Sequence, residues 1–473
     1  MQVRDHKTKI VGTIGPASES PEMLEQLIRA GLDIARLNFS HGDFSRHAEV
    51  IHRIRTAEKR IGRNVSIMAD LPGPKMRVGK ITPEPIQLVA GTEFILTADE
   101  VTGDSQRVSM SFERLHKVVT PGDKLFLNDG LIQLVVERVA GADVHCRVAV
   151  GGELRSRKGL NIPGIDLGMS AFTEHDRACL EFAVGNGVDA VSQSFVEGAE
   201  DIERVRAAAT ASGHRPLIIA KIERSVAVAR YDEILKATDG IMVARGDLGV
   251  EIPMEEIAVV QKMLIAKANA AGKPVITATQ MLESMTVNRL PTRAECTDVA
   301  NAILDGTDCV MLSGECAMGK YPVESVEMLA KIARATENSR KESPGAEGVE
   351  FAPATAAEAT GMVVRHALRT VPCAAVFVPS ISGNTARMIS RFKPRVWIVA
   401  MGEDSAVSHG LQFSYGVEPM LVHSLPEDWR EFANAWLRDQ NVDGKIALLV
   451  AAASPNQPAA NHRIEFMRVD PAS

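Results

Sequence analysis

Eight short apolar runs, each followed by a helix-like segment, constrain this chain more than any other feature. The runs span residues 8–14, 33–39, 65–71, 188–195, 217–222, 239–244, 274–279 and 308–312. Their length and weak polar alternation fit strands covered on both faces. Helical patterns fill the intervals at 21–30, 44–61, 174–186, 199–211, 225–237, 254–271 and 292–305, and a further one follows at 322–339. Pro at or near the starts (Pro21, Pro253, Pro291, Pro322) and Gly near the ends (Gly31, Gly62, Gly187, Gly213, Gly272, Gly306) give the usual start and stop asymmetry. Eight strand–helix units predict an α/β fold, a (β/α)8 TIM barrel, with its chemistry at the carboxyl ends of the strands.

The alternation breaks between the third and fourth runs. Pro72-Gly73-Pro74 opens the break. Short alternating runs follow at 93–97, 124–127 and 131–139, with hairpin-turn signals at Asn128-Asp129-Gly130 and Gly141-Ala142-Asp143. This predicts a small β-barrel domain inserted over the mouth of the main barrel, either a mobile lid that excludes water or a passive decoration. Glu342-Ser343-Pro344-Gly345-Ala346-Glu347-Gly348 reads as a linker. Beyond it, runs at 374–379, 396–400, 420–422, 446–451 and 464–469 predict a smaller α/β domain. The expected division is barrel at 1–71 and 169–341, inserted domain at 72–168, and carboxyl-terminal domain at 350–473.

Composition narrows the function. A net charge of −7 argues against nucleic acid as a main partner, though not against a small cationic pocket for phosphate. No apolar run approaches the ~18 residues of a membrane span, and the amino terminus has no apolar signal region. The six cysteines form no C-x-x-C pair and read as reduced structural thiols. These features together predict a cytoplasmic protein with no membrane partner.

The strand ends carry the chemistry. In a strand, residues two apart face the same way, so Lys221 and Glu223 share a face. That pair alone reads either as a salt bridge locking the barrel rim or as part of a metal and phosphate site. Other strand ends add Arg36, Asn38 and Ser40, then Asp70, Gln193 and Ser194, Asp247, Thr279, and Ser313 with Glu315. A ring of such residues from successive strands exceeds what rim salt bridges require. Glu223 and Asp247 are hard oxygen donors suited to Mg²⁺ or Mn²⁺. Arg36 is a planar fork for phosphate or carboxylate. The segment Ala244-Arg245-Gly246-Asp247 would place main-chain N–H groups near a helix start. The set suits phosphoryl transfer or enolate stabilisation.

Taken together, several long segments resemble the pyruvate kinase family. They are residues 8–18, Ala35-Arg36-Leu37-Asn38-Phe39-Ser40-His41-Gly42, Ala220-Lys221-Ile222-Glu223, residues 242–251, 278–285, 291–295 and 305–315, with residues 128–132 and 158–164 in the insertion. The resemblance implies transfer of a phosphoryl group from phosphoenolpyruvate to ADP. It implies a Mg²⁺ or Mn²⁺ cofactor on Glu223 and Asp247, and Arg36 and Lys221 against the phosphoryl group. It further implies Gly246, Asp247 and Thr279 at the substrate carboxylate, Thr279 near the proton-accepting face of the enolate, and Arg77 and Lys158 at the nucleotide phosphates. A homotetramer is also implied.

One departure stands out. Many family members hold potassium with residues matching Asn38, Ser40, Asp70 and a Thr, in a motif reading Asp-Thr-Lys-Gly-Pro-Glu. Here it reads Asp70-Leu71-Pro72-Gly73-Pro74-Lys75. The resemblance is to the potassium-independent branch. The expectation is that the Lys75 ammonium stands in for K⁺, so that K⁺ is not required. The alternative is a surface lysine with potassium still bound. A second site is expected in the third domain, where Ser380, Ser382, Gly383, Asn384 and Thr385 would bind the phosphate of an allosteric effector. An N-capped helix with no ligand has the same pattern. The rival functions are another Mg²⁺-dependent barrel enzyme of phosphoenolpyruvate or pyruvate chemistry, and a non-catalytic metabolite sensor.

Overall fold

The structure, a computed structural model, describes residues 2–165, 168–340, 353, 355–451 and 461–470. The expected linker at 342–348 lies outside the described residues. Eight parallel strands close a barrel in chain order: Lys9–Thr13, Ile34–Asn38, Ser66–Leu71, Ala190–Gln193, Leu217–Ile222, Gly240–Ala244, Val275–Ala278 and Cys309–Leu312. Their inward side chains, among them Val11, Ile34, Met68, Ile219, Met242 and Met311, form one buried layer. The outward ones pack on the surrounding helices in a larger core.

Local chemistry explains most helix limits. Pro21–Ala30 is capped by Ser20 accepting from Met23 N and stops at Gly31. Thr173 and Asp176 form a capping box for Glu174–Gly185, as Thr292 and Glu295 do for Arg293–Asp305. Two expectations are corrected. The helix read at 225–237 is broken into Ser225–Ala229 and Tyr231–Ala237. The chain turns at Arg230, and Tyr231 is buried with its hydroxyl donating to Leu264 O at 2.8 Å. No Gly or Pro marks that turn, because a tertiary contact makes it. The helix read at 254–271 begins instead as a 3-10 turn, Met254–Glu256, before Ile257–Ala270.

Between the third and fourth barrel strands, a six-stranded sheet folds around its own core. Asn128, Asp129 and Gly130 all take positive φ (53°, 56° and 88°) between the strands Lys124–Leu127 and Ile132–Ala140. That is the backbone an Asn-Asp-Gly turn favours.

The carboxyl-terminal sheet orders its strands Val417–Leu421, Trp397–Gly402, Ala375–Pro379, Ile446–Ala451 and Arg463–Arg468, the last antiparallel. The strand expected at 420–422 therefore starts earlier, at Val417. Its first residues are recruited by docking: Lys9 Nζ donates to Val417 O at 2.7 Å. From the same region Phe413, fully buried, enters the inner layer of the barrel and floors its amino end.

Candidate active site

The opposite, carboxyl end of the barrel holds a cavity of about 110 Å³. It is lined by strand-end residues that include Arg36, Asn38, Ser40, Asp70, Lys75, Ser194, Lys221, Glu223, Asp247 and Thr279. Ten residues singled out from sequence thus converge on one space. Arg77 and Lys158 do not line it. They sit in the inserted domain beside each other, with Val78 N donating to Lys158 O at 2.9 Å and Arg77 Nη1 to Arg157 O at 3.0 Å. Glu315 departs from the expected ring. It is buried, and its two oxygens accept Leu282 N (3.1 Å) and Ser313 N (2.7 Å), so it braces two loops away from the cavity. Ser313 lies off the cavity with it. Gln193 turns aside too, donating to Ala171 O and Ser194 O.

Parallel register sets the ion network. Asp70 pairs across the sheet with Asn38 on one side and Ser192 on the other. Arg36 Nε donates to Asp70 Oδ2 at 3.0 Å and its Nη2 closes on the same oxygen. Ser192 Oγ donates to Asp70 Oδ1 at 2.7 Å. Burial alone would raise the Asp70 pKa, but Lys221, Arg36 and the Ser192 hydroxyl outweigh it and pull it down to about 2. The Lys221 ammonium donates to Ser194 Oγ at 2.5 Å, 3.5 Å from Asp70 and 3.4 Å from Glu223 Oε2. Burial acts against its charge, yet Asp70 and Glu223 keep its pKa above the ordinary value.

Glu223 is the anomaly. Its Oε1 accepts Phe195 N at 2.7 Å, while Oε2 is buried and makes no hydrogen bond. Desolvation dominates and pushes its pKa up to about 7, despite Lys221. A buried carboxylate oxygen without a donor is costly. A hard cation shared with Asp247 would satisfy it, so the donor set fits a divalent ion of the Mg²⁺ class.

The seventh strand ends under strain. Thr279 and Gln280 have φ of 67° and 55°, a region that β-branched Thr rarely visits. The strain aims Thr279 Oγ1 at Gly246, whose N–H donates to it at 2.8 Å, and lets that hydroxyl donate to Ala278 O at 2.6 Å. Arg245 holds the loop. It donates to Thr279 O at 2.7 Å and Ala278 O at 3.3 Å, and pairs with Asp298 at 2.7 Å. Sequence reasoning missed Arg245 as a positioning residue, and also Arg224. Arg224 follows Glu223, pairs with Glu197 and Glu251, and donates to Ile162 O and Ile165 O in the inserted domain. The available signal was their place: each is an arginine at a strand end beside a candidate ligand.

Lys75 lines the cavity together with Asn38, Ser40 and Asp70. Its side chain runs along Gly159 of the inserted domain, where an added Cβ would lie 3.6 Å from Lys75 Cε. Nearby His41 is held below its ordinary pKa by burial and by the charges of Arg77, Lys75 and Arg36.

A parallel barrel whose carboxyl-end cavity combines two cations, two hard oxygen donors and a strained hydroxyl defines a class: a barrel enzyme acting on small anionic, phosphorylated substrates. Comparison with known proteins gives the member of that class. The family model "Pyruvate kinase, barrel domain" matches residues 5–326, and "Pyruvate kinase, alpha/beta domain" matches residues 358–461. Pyruvate kinase from Thermococcus litoralis is 49% identical over 428 residues, covering 89% of this chain and 90% of the relative. That of Geobacillus stearothermophilus is 45% identical over 87% of this chain and 71% of its own length. Human pyruvate kinase PKLR is 42% identical over 90% and 77%. The chain belongs to the pyruvate kinase family, the phosphotransferases that form pyruvate and ATP from phosphoenolpyruvate and ADP. Among the described residues no helix is long and apolar enough to cross a membrane.

Proposed function

We propose that the carboxyl-end cavity is where this phosphotransfer occurs, with Lys221, Arg36 and Thr279 as its catalytic residues. The observation that carries this reading is the Lys221 ammonium, buried and hydrogen-bonded to Ser194, within 3.5 Å of both Asp70 and Glu223. In the reaction the bond between phosphorus and the enolate oxygen breaks as a bond to the terminal phosphate oxygen of ADP forms. The enolate carbon then takes a proton, giving pyruvate. Negative charge moves across the site in the first step. Lys221 and Arg36 offset that charge, already oriented by Asp70 and Ser194, so little reorganisation accompanies the transfer. The strained Thr279 hydroxyl and the Gly246 and Asp247 main chain would hold the substrate carboxylate. Thr279, turned to the cavity, stands at the face where the enolate carbon is protonated.

Glu223 and Asp247 would hold Mg²⁺ or Mn²⁺, which when bound neutralises substrate and phosphoryl oxygens. Arg77 and Lys158 bind the nucleotide phosphates once the inserted domain closes over the cavity. The conversion of phosphoenolpyruvate and ADP to pyruvate, measured in a coupled assay, tests the reading. No pyruvate formation at any divalent cation concentration would refute it and favour the sensor alternative.

Lys75 replaces the potassium ion. Its side chain lines the cavity with Asn38, Ser40 and Asp70, and Asp70 already has both oxygens engaged by Arg36 and Ser192. Turnover is expected to be undiminished with tetramethylammonium as the sole monovalent cation, and Lys75→Glu is expected to acquire a potassium requirement. A strong potassium dependence of the unaltered enzyme would sink this assignment.

The third domain binds a phosphorylated effector at Ser380, Ser382, Gly383, Asn384 and Thr385. The helix that follows, Asn384–Ser390, has only seven residues, so a helix terminus contributes little. Better support is the Ser380 hydroxyl, which is buried and makes no hydrogen bond among the described residues. Homotetrameric assembly and a cytoplasmic location complete the reading, and sedimentation of the purified chain tests the first.

A further inference from the structure

Arg224 is buried where four segments of the chain meet. Its Nη1 closes on Glu197, which follows the fourth barrel strand. Its Nε lies 3.7 Å from Oε2 of Glu251, the last residue of the helix Arg245–Glu251 after the sixth strand. Its Nη2 donates to Ile162 O at 3.3 Å and to Ile165 O at 3.1 Å in the inserted domain. Arg224 itself follows the fifth strand. One guanidinium therefore joins three successive barrel units to the domain above them. A salt bridge that only closed the rim would need one carboxylate and no carbonyl from another domain. A planar fork with donors on three nitrogens reaches all four acceptors, and a single ammonium does not.

Each partner leads to a group at the active site. Glu223 is the residue before Arg224 in the chain. Asp247 stands one helical turn before Glu251, on the same face of their helix. Both Glu223 and Asp247 line the active-site cavity. On the other side, Ile162 lies one short step along the chain from Lys158, and Leu160 N donates to Met76 O at 3.0 Å, next to Arg77. The ribbon that carries Arg77 and Lys158 thus runs into the carbonyls that Arg224 holds. The inserted domain also touches the Asp247 helix directly. Its strand Leu160–Asn161 lies against that helix. A Cβ at Gly130, in the Asn128–Gly130 turn, would come within 3.3 Å of Val250.

We propose that Arg224 is a positioning residue of the phosphotransfer site, one that couples the placement of the inserted domain to the spacing of Glu223 and Asp247. This rests on the reading of those two carboxylates as the divalent-ion ligands, and it adds a residue that touches neither the ion nor the substrate. Coupling of this kind is reciprocal: what an ion at Glu223 and Asp247 contributes to ordering the 158–165 ribbon, the ribbon contributes to ion affinity. The sign of the effect separates positioning from plain electrostatics. Arg224 is a cation beside a ligand of a cation, so its charge alone opposes the ion. Loss of that charge would tighten ion binding, whereas loss of position weakens it.

Two measurements on the full chain with Mn²⁺ alone test this: Kd from the electron paramagnetic resonance of the free ion, and hydrogen exchange of the 158–165 amides with and without it. In the unaltered chain Mn²⁺ is expected to bind and to slow exchange in that ribbon. Arg224→Lys keeps the charge and loses the fork. Its Kd is expected to be weaker by about fivefold or more, the range of coupling between linked sites, and its ribbon exchange should no longer respond to the ion. Arg224→Met should be weakened at least as much. It leaves two carboxylates without their cation, so if it does not fold, Arg224→Lys alone decides. An unchanged Kd in Arg224→Lys, with or without a lower melting temperature, overturns the proposal. So does tighter binding in Arg224→Met, or ribbon exchange that still responds to Mn²⁺ in Arg224→Lys. Glu223→Gln separates the two readings. If Mn²⁺ binds it as well as the unaltered chain, or binds neither, the ion-ligand reading falls and the coupling with it. If Glu223→Gln loses Mn²⁺ while Arg224→Lys binds it normally, only the coupling falls.

Discussion

At the amino end of the barrel, Asp308 is buried and fully occupied. Its Oδ1 accepts Tyr415 N at 2.9 Å and faces Lys393 Nζ at 2.7 Å, while its Oδ2 accepts Val275 N at 3.0 Å. At the carboxyl end, Glu223 is equally buried, yet one of its oxygens makes no hydrogen bond. Both ends enclose acid–base pairs, and each meets a different neighbour: the carboxyl-terminal domain below, the inserted domain above, which Arg224 contacts at Ile162 O and Ile165 O. The lower end is plugged by Phe413 and tied by Lys9 to Val417 O, Ser66 to His409 O and Gly416 to Lys7 O. The buried atoms there that make no hydrogen bond, Lys393 Nζ, Ser408 Oγ, Gln412 Oε1 and Ser414 Oγ, include no carboxylate oxygen. The upper end keeps a carboxylate oxygen that Lys221 faces at 3.4 Å but no donor hydrogen-bonds, which favours a cation there and costs stability until one binds. What sets the functional end apart is therefore that its unsatisfied atom is a carboxylate oxygen, Glu223 Oε2, beside the candidate metal ligand Asp247.

Substitutions can break this contrast. The largest effect is expected at Lys221→Ala, which should lower kcat by at least a hundredfold, roughly 3–4 kcal/mol of barrier, with the melting temperature nearly unchanged. Near-normal turnover would remove Lys221 from the catalytic set. Asp308→Asn should do the reverse. It strands the buried Lys393 charge and should cost about 3 kcal/mol of unfolding free energy in denaturant titration, while the surviving folded enzyme keeps its KM for phosphoenolpyruvate. A KM change as large as the stability change would mean that the two ends are not separable.

Arg245→Lys sharpens the upper half of the comparison. A lysine cannot bridge Thr279 O, Ala278 O and Asp298 together. The strained strand end should relax, raising KM for phosphoenolpyruvate about tenfold, near 1.4 kcal/mol, with little change in stability. An unaltered KM would show that Thr279 holds its conformation without Arg245.

The smallest effect concerns pH. His409 of the carboxyl-terminal domain lies 3.3 Å from Glu58 and 3.3 Å from Asp189 of the barrel. Burial works against its charge, but Glu58 and Asp189 outweigh it and Arg55 together and raise its pKa above the ordinary value. A raised folded-state pKa favours the protonated form in the fold. Its stabilisation is complete below about pH 6.5, the unfolded value, and is lost as pH rises through the higher folded value. His409→Gln should abolish that part of the slope in melting temperature against pH. An identical slope in the variant would place the titration elsewhere.

Much of this was legible in the chain itself. Eight apolar runs with helical intervals, punctuated by Gly and Pro, determine the barrel, because each unit's periodicity is local. The fifth strand, Leu217–Ile222, has the limits its sequence implies. The candidate ligands were legible because a charge at the end of an apolar run is conspicuous, and period two puts Lys221 and Glu223 on one face. Other features needed the tertiary structure. The break at Arg230 follows from burying Tyr231, and the early start of Val417–Leu421 follows from docking on the barrel. Asp70 looked like a cation ligand in sequence, and its contacts show that it first anchors Arg36 and Lys221. Glu315 looked like a member of the ring, yet both its oxygens are spent on backbone. Neither Arg245 nor Arg224 could be assigned before their carbonyl and carboxylate partners, tens of residues away, were in place. Sequence thus determined which groups reach the barrel's carboxyl end. Only the tertiary structure decided which of them are satisfied by the protein and which are left for a ligand, because satisfaction of a buried charge depends on partners that the chain brings together from distant positions.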